Sequence, residues 1–493
     1  MADNITFLSI PEDWLVPGAK IEIDHSRAIR GLPAVSHKML VLCQRLSTGT
    51  VQAGALSKIT RKEDGVNYYG RGSMGAQMIA AILKVNPYTQ LYGLALDDLE
   101  AGVAAAGTIT ITGTPTESGT LYLRVGGRSV PVGITAAQTP TQIAAAIAAS
   151  INADLDGAVT AASAAGVVTP TSRHKGIEGN GIDLRVNYYP GEATPKGITV
   201  AIGAMAGGTG NPDVTAAITA MSNIAPYTIV MPWSDPANMA LMEAELELRF
   251  SGMNMKQGHV FTYRSGSYSA LSTYGSARNS KQSSFLGLKG CPSLPWVNVA
   301  QFAGAVEFRG AIDPALPFKG LYLPDVMAPV ETDQFTDAER NLLLHDGCST
   351  VTFDQGGNCH IEQVITTYQT NTFGMEDRSM LKLNTKWTAD YMRFVFAYDV
   401  VATFPNHKLA GDDVLDRIQP GQKIATPKLI VNNSLIPTAM RLEKAGLLED
   451  LDQFIKELIC VRSDVDKNRV NAILPPNLVN QFDVFAGAVQ YIL

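Results

Sequence analysis

Met39-Leu40-Val41-Leu42-Cys43-Gln44-Arg45-Leu46 is a short apolar run suited to a strand buried on both faces. Ser73 to Leu83 follows, with Met74, Met78, Ile79, Ile82 and Leu83 at helical spacing, and Leu91 to Leu96 reads as the next strand. Strand, helix and strand in this order open a core of the α/β kind.

The same rhythm returns far downstream. Ile198 to Ile202 reads as the strand that resumes it, followed by the loop Gly207-Gly208-Thr209-Gly210-Asn211-Pro212 and a helix from Asp213 to Met221. Tyr227 to Met231 is the next strand, closed by Pro232-Trp233-Ser234-Asp235-Pro236, and Met239 to Phe250 is a helix. Val260 to Tyr263 and Trp296 to Phe302 are further candidate strands, so the two separated halves are expected to build one sheet. Thr336-Asp337-Ala338-Glu339 before Leu342-Leu343-Leu344 is a capping-box pattern, with Gly347 placed to end that helix.

What separates the halves differs in composition. Ala101 to Pro170 is rich in alanine, and its only charged residues are Glu117, Arg124, Arg128, Asp154 and Asp156. Thr108 to Thr112 and Thr120 to Val125 read as strands, Gly126-Gly127 is a hairpin signal leading to Arg128–Val132, and Thr139 or Thr141 is placed to cap a helix through Ile143, Ile147 and Ile151. With a further strand at Ile182 to Tyr188, this is an inserted, mainly β domain. The expected division is an extended arm over 1–30, a discontinuous α/β core over 31–103 and 204–385, the insertion over 104–203, and a C-terminal α/β domain over 386–493 that ends in an arm over 470–493. That last domain contains a helix near Ala439 to Ile459, the break Leu474-Pro475-Pro476 and an apolar end, Val484 to Leu493.

Composition removes several classes of function. The chain has 493 residues, 46% hydrophobic and 17% charged, enough for two to four domains with sizeable cores. Its formal charge of −7 is spread out, and no run of Lys and Arg suits a nucleic-acid backbone. No apolar run of membrane-spanning length occurs, and Met1 to Ile10 lacks a basic region ahead of an apolar one. Five scattered cysteines, Cys43, Cys291, Cys348, Cys359 and Cys460, contain no CxxC pair and are expected to be reduced thiols.

Candidate chemistry is weak throughout. The loop at Gly207 to Gly210 matches neither phosphate-binding motif and has no lysine in place, so a structural turn is the better reading. His345, Cys348, Cys359 and His360 lack paired metal-ligand spacing. Ser234 and Asp235 with His259 or His360 make a triad only on paper, since there is no G-x-S-x-G elbow. No catalytic residue, cofactor or metal is expected.

Several segments together resemble the tail sheath proteins of contractile, Mu-like bacteriophages. Ser9-Ile10-Pro11, Val16-Pro17, Ile21-Glu22, Asp24, Ser26, Ala28, Gly31 and Pro33 are similar to that family's arm and first strand. Ile365-Thr366-Thr367-Tyr368-Gln369 with Asn371, Gly374 and Asp377 is the most specific match, and Glu339-Arg340-Asn341, Gly347 and Asn384 to Arg393 keep its order. Asp466, Asn468-Arg469, Leu474-Pro475-Pro476 and Leu478-Val479-Asn480 resemble the carboxy-terminal arm, while the insertion carries little of the likeness.

The resemblance implies a structural subunit, not an enzyme. It would form six-fold rings stacked helically around a tail tube, with baseplate and tail terminator proteins as further partners and neither nucleic acid nor membrane. It would be assembled in the bacterial cytoplasm and reside in the virion. Contraction of the lattice would drive the tube through the host envelope during genome delivery. The arms would pair as strands between subunits through Ile21, Glu22, Ile23, Asp24, Val484, Phe485, Val489, Tyr491 and Leu493. The late helix, with Arg441, Lys444, Glu449, Asp450 and Lys456, would face the tube. Two alternatives stay open on the residues alone: an α/β hydrolase-like enzyme with a site near Asp235 or the Gly207 loop, and another self-assembling virion component such as a baseplate or tube protein.

Overall fold

In β1 (Lys38–Gln44) side chains alternate between two faces, and Met39, Leu40, Val41, Leu42 and Cys43 are all fully buried. Such a strand needs a layer on each side of its sheet. The computed structural model, which describes residues 16–21, 31–419 and 422–492, supplies both layers. After β1 come β2 (Leu56–Ile59), α1 (Lys62–Tyr69), α2 (Met74–Val85) and β3 (Gln90–Leu96), and β1 pairs with β3 in parallel from Lys38↔Gln90 to Gln44↔Leu96.

The chain then leaves the core for β4 (Ala104–Gly113), β5 (Gly119–Val125), β6 (Arg128–Ile134), α3 (Pro140–Ala153), β7 (Val159–Ala164), β8 (Val167–Lys175), β9 (Leu184–Val186) and β10 (Ile198–Ala206). These make two small sheets, β10-β4-β8-β7 and β6-β5-β9. Gly126 and Gly127 both have positive φ, +55° and +78°, which lets a two-residue turn join β5 to β6 with the twist of the strands. Thr139 and Gln142 form the reciprocal cap of α3, whose Ile143, Ile147 and Ile151 are buried. β10 differs from the sequence reading. It runs antiparallel to β4, Ile198↔Gly113 to Ala206↔Ala106, and so closes the inserted sheet where Ile198 to Ile202 was expected to resume the core.

The core continues with α4 (Thr215–Ala220), β11 (Thr228–Val230), α5 (Pro236–Phe250), β12 (His259–Ser265), α6 (Tyr268–Ser276), β13 (Ser283–Leu288), α7 (Pro295–Ile312), β14 (Tyr322–Met327), α8 (Asp337–His345), β15 (Cys348–Phe353) and β16 (Asn358–Gln363). One nine-stranded sheet results, in the order β14-β16-β15-β13-β12-β11-β1-β3-β2. The six strands from β15 to β3 are parallel, and the flanking strands are antiparallel. Leu40 and Leu42 of β1, Ile229 of β11 and Val260 of β12 face α4 and α5 through Val214, Ala217, Met239, Met242 and Leu246. α2 and α7 pack on the opposite face. This is a mixed α/β architecture with a doubly wound centre.

Trp296 to Phe302, expected as a strand, is the start of helix α7. Pro295 occupies its first turn, and Trp296, Val299, Ala300, Phe302, Ala303 and Val306 are buried around its circumference. A helix enclosed on all sides has no polar face, so its 3.6-residue period disappears from the sequence.

Residues 36–387 with 482–492 form one compact unit, and the other described residues, chiefly 388–481, form a second. The boundary falls within α9 (Leu383–Thr403). The second unit holds β17 (Lys408–Leu409), β18 (Ile424–Ala425), α10 (Pro427–Ile430), α11 (Ile436–Lys444), β19 (Leu448–Glu449), α12 (Leu451–Glu457), β20 (Ile459–Arg462), β21 (Val470–Ile473) and β22 (Asn477–Leu478). The single helix expected near Ala439 to Ile459 is therefore two helices with a strand between them. Gly446, at φ +72°, ends α11: its N–H reaches Glu443 O at 2.8 Å, and Leu447 N–H reaches Leu442 O at 3.0 Å. That pair of bonds is a Schellman closure, which uses up the last helical carbonyls. Asp450 then caps α12 by accepting from Gln453 N–H at 3.0 Å.

Trp387 anchors the aromatic part of the first unit, edge-on to Tyr227, Phe261 and Phe318 at centroid distances of 5.2, 6.2 and 5.6 Å. Gly310 of α7 lies against that indole so closely that a Cβ there would run into the ring. Gly310→Ala is expected to destabilise this unit by roughly 1–3 kcal/mol through overpacking, read as a lower midpoint in denaturant unfolding followed by tryptophan fluorescence.

Candidate functional site

In a doubly wound sheet, ligands bind beyond the carboxyl ends of the strands, where the chain's progress reverses direction. Here that place lies between β1 and β11, because β3 was added on one side of β1 and β11 on the other. The inserted segment lies over the strand ends on both sides of it, with His174 and Lys175 at β1 and β3 and Glu178 beside Asp235 after β11. Asp98, just past β3, accepts from Lys175 N–H at 2.9 Å and from Gln44 Nε2 at 2.8 Å, and lies 3.1 Å from His174 Nδ1. His174 Nε2 accepts the Met74 N–H at 3.0 Å, so the ring proton is on Nδ1 and points at Asp98. Gln44 Nε2 also donates to Lys175 O at 2.7 Å. The amino end of α2, which could otherwise hold an anion, is covered by an imidazole and by its own Ser73 cap. Burial pushes the Asp98 carboxyl up, but hydrogen bonding to His174, Lys175 and Gln44 outweighs it and holds the group below the ordinary carboxylate range.

The Gly207 to Gly210 loop is likewise committed to the fold. Gly208 N–H and C=O are both bound by the Asn180 amide, at 2.8 and 2.9 Å, and Thr209 exchanges backbone bonds with Val103 at 3.0 and 3.1 Å. The start of α4 already faces a carboxylate, with Thr215 N–H donating to Asp213 Oδ1 at 2.8 Å. These peptide groups are not free to cradle a phosphate.

The paper triad does not assemble. Ser234 and Asp235 follow the carboxyl end of β11, whereas His259 opens β12 opposite Thr228. Six residues of extended chain separate those levels, roughly 20 Å. Asp235 caps α5 through Asn238 N–H at 3.1 Å. His259 is fully buried, bonds Ser284 Oγ at 2.8 Å, and burial with the nearby Lys386 charge drives its pKa well down. Cys348 lies at the start of β15, whereas Cys359 and His360 face its far end in the register Phe353↔Cys359 and Thr352↔His360.

A second charged cluster was not evident in the sequence. Glu178, in the 3-10 turn Ile177–Gly181 of the insertion, lies beside Asp235. Burial, then the Asp235 charge, raises its pKa to about 8, against smaller opposing effects of the Ser234 N–H and Arg264. A partly exposed but strongly desolvated carboxyl next to a carboxylate is either a proton carrier or a tolerated cost of packing. Nothing else at this spot suggests transfer of a proton to a ligand.

The residues expected to join subunits are placed differently from one another. Ile21 is 89% exposed and lies in no regular element, whereas Glu22, Ile23, Asp24 and Leu493 fall outside the described residues. Asp483 ties the tail to the first unit through Lys382 Nζ at 2.5 Å and Gln363 Nε2 at 3.3 Å. Beyond it Val484, Phe485, Val489 and Tyr491 are 80–94% exposed and belong to no strand of the subunit. In the second unit Lys444, Glu449, Asp450 and Lys456 are exposed. Arg441 instead turns inward to Asp399, which also accepts from Thr438 Oγ1 at 2.7 Å.

The crevice groups are bonded by the chain itself, and the apolar tail is exposed, which is the arrangement of a subunit that can dock to further copies. A model of the phage tail sheath protein central domain matches residues 207–367. Over 490 residues, 99% of this chain and 100% of the relative, the sequence is 36% identical to the Mu-like prophage FluMu tail sheath protein of Haemophilus influenzae. Among solved structures, the sheath tail protein of Desulfitobacterium hafniense shares the fold, with a TM-score of 0.50 and 14% identity over 94% of this chain and 97% of that one. The sheath tail protein of Listeria innocua gives 0.48 and 12%, over 91% and 93%. The chain belongs to the phage tail sheath protein family. It is a structural subunit of a phage tail sheath, a virion component, and its family is not one of enzymes.

Two outcomes test the crevice. His174→Ala leaves the Met74 N–H and part of Asp98 without partners, and should cost about 1–3 kcal/mol with faster hydrogen exchange at Met74. Glu178 has a folded pKa above its ordinary value, so its contribution to stability is complete below about pH 4.5 and is lost as pH rises toward about 8. Glu178→Gln should therefore raise the melting temperature by several degrees at pH 8 and hardly at pH 4.5. An equal shift at both values would contradict the desolvated-carboxyl reading.

Proposed function

We propose that the subunits polymerise as stacked six-membered rings around a tail tube, joined by their extended ends, and that contraction of this lattice drives the tube through the host envelope during genome delivery. The observation that carries the reading is a pair of incomplete elements. β20 and β21 form a ribbon paired to no other described strand, with Ile459, Val461 and Ile473 about half exposed. A two-stranded ribbon of this length is marginal alone and offers open edges for a further strand. The tail after Asp483 is an extended apolar segment in need of cover.

Strand addition satisfies both needs, since main-chain bonds supply attachment and alternate side chains supply fit. Burying Phe485, Val489, Tyr491 and Ile492 would contribute on the order of 10 kcal/mol before the cost of ordering the tail. The amino-terminal arm, with Ile21 to Asp24, acts in the same way. Because each copy gives and receives a strand through different surfaces, the contact is heterologous and propagates without closing on itself. Contraction then exchanges one set of subunit contacts for a better one while the arms keep copies linked.

The second unit lies inward, with Lys444, Glu449, Asp450 and Lys456 toward the tube protein, and the ends of the sheath meet baseplate and terminator proteins. Assembly takes place in the bacterial cytoplasm.

Removing residues 484–493 should leave the melting temperature unchanged while electron microscopy shows subunits or short rings in place of long sleeves. Removing residues 1–30 should do the same. Long sleeves from either truncated chain would overturn the arm mechanism.

A further inference from the structure

A groove of about 680 Å³ opens between the β5–β6 turn of the insertion and helices α1 and α2 of the core, within the first unit. Its floor is apolar, with Ala76, Ala80, Leu294 and Val297, and its walls carry charge. Lys84 is matched by Asp325 at 2.6 Å and Arg128 by Asp154 through two bonds at 2.5 and 2.7 Å. Asp156 is taken by Arg71 at 2.8 Å. Lys62 and Glu63 of α1 also line the groove. Arg124 differs from the paired cations. It makes no ion pair among the described residues and donates only Nη1–H to Gly127 O, at 3.1 Å.

The Arg124 guanidinium is nonetheless held in place. It lies against the rings of Tyr188 and Tyr189, at 5.3 and 4.6 Å from their centroids, and Tyr188 is fixed by its hydroxyl donating to Ala328 O at 2.9 Å. Its Nε is buried without a hydrogen-bond partner. The buried Nε is out of reach of a docking group, but the two Nη groups lie side by side in one plane and suit a planar anion that accepts two bonds; a stacked, partly desolvated guanidinium left unmatched is costly. Tyr189, 51% exposed, stands at the mouth.

We infer that this groove receives a carboxylate-bearing segment of a second copy of the chain, with Arg124 as its anchor. The occupant follows from charge. The whole chain has 46 acidic residues against 39 lysines and arginines, whereas the groove, once its ion pairs are set aside, is left with Lys62, Glu63 and Arg124 and so with a surplus of positive charge. The apolar floor accommodates the aliphatic stem of Asp or Glu and its neighbours. The inference rests on the proposed sheath lattice, because only a repeating assembly brings a second copy to every groove.

The full-length chain and Arg124→Met are compared for sleeve formation over a range of protein and salt concentrations. Arg124→Lys is included, since it keeps the charge but loses the planar fork. The expected result is a critical concentration raised roughly tenfold or more for Arg124→Met, partial loss for Arg124→Lys, and a weaker salt dependence in Arg124→Met. Melting temperatures check that the variants fold. Independently, p-benzoylphenylalanine at position 189 of the otherwise unaltered chain should cross-link to a segment containing Asp or Glu on another subunit. Wild-type chain that never forms sleeves overturns the sheath lattice and this inference together. Wild-type sleeves with unchanged assembly of Arg124→Met, or cross-links confined within one subunit, overturn the groove's role alone.

Discussion

The core depends on how Asp98 is satisfied. A parallel strand such as β1 can be covered on its faces by helices, but its carboxyl end opens on a crevice that is polar by construction, because peptide groups and the start of α2 converge there. Enzymes with this topology leave the crevice for a ligand. In this chain Asp98, Gln44 and the Met74 N–H are matched by His174 and Lys175 from a segment that follows them by 76 to 131 residues in sequence. The insertion is thereby fixed to the core by polar geometry, beside the packing of its Gly126, Gly127 and Gly181 on Leu294, Met327 and Pro295. The doubly wound sheet becomes a closed structural body.

Sealing the crevice has a cost that appears nearby. Docking the 3-10 turn of the insertion brings Glu178 down beside Asp235, the cap of α5, and one carboxyl is kept protonated well above its ordinary range. Both clusters lie along the same junction, one favourable and one strained. A junction built in this way holds its register through complementary hydrogen bonds.

The parts of this fold visible in the sequence were those determined by neighbours in the chain. β1, α2, β3 and the Gly126-Gly127 hairpin follow from local period and turn chemistry, and so does the Thr336–Glu339 cap, whose two bonds form as the motif requires. The misreadings arise where tertiary surroundings remove the local signal. α7 lost its period because it is buried on every side, and the pairing of β10 with β4 links residues about ninety positions apart. The break at Gly446 was legible in principle, since Gly followed by Leu is a Schellman signature, but the apolar residues on either side continue one helical pattern across it. Arg441 illustrates the limit for site residues. Its position on a charged helix face suggested a partner outside the subunit, and only the fold reveals Asp399 behind it.

The contrast between a sealed interior and an exposed apolar tail bears on how, in the proposed lattice, a sheath subunit would transmit force. If the subunit is to change neighbours without unfolding, the contacts inside it must outlast those between copies, and the latter must be made by segments whose own folding does not depend on them. β1 meets the first need, as a central strand paired along its length to β3 and also to β11. The tail meets the second, since it is tied at Asp483 by Lys382 and Gln363 and makes no strand of its own beyond that point. Under the proposed arm mechanism, load on the tail would reach the core through the charged contacts of Asp483 beside β16, which can re-form in water after they are broken. An apolar tether would expose surface each time it opened and invite misassembly. The same logic favours an electrostatic anchor at Arg124 over a larger apolar seat, because a lattice that rearranges needs contacts that can be released and remade.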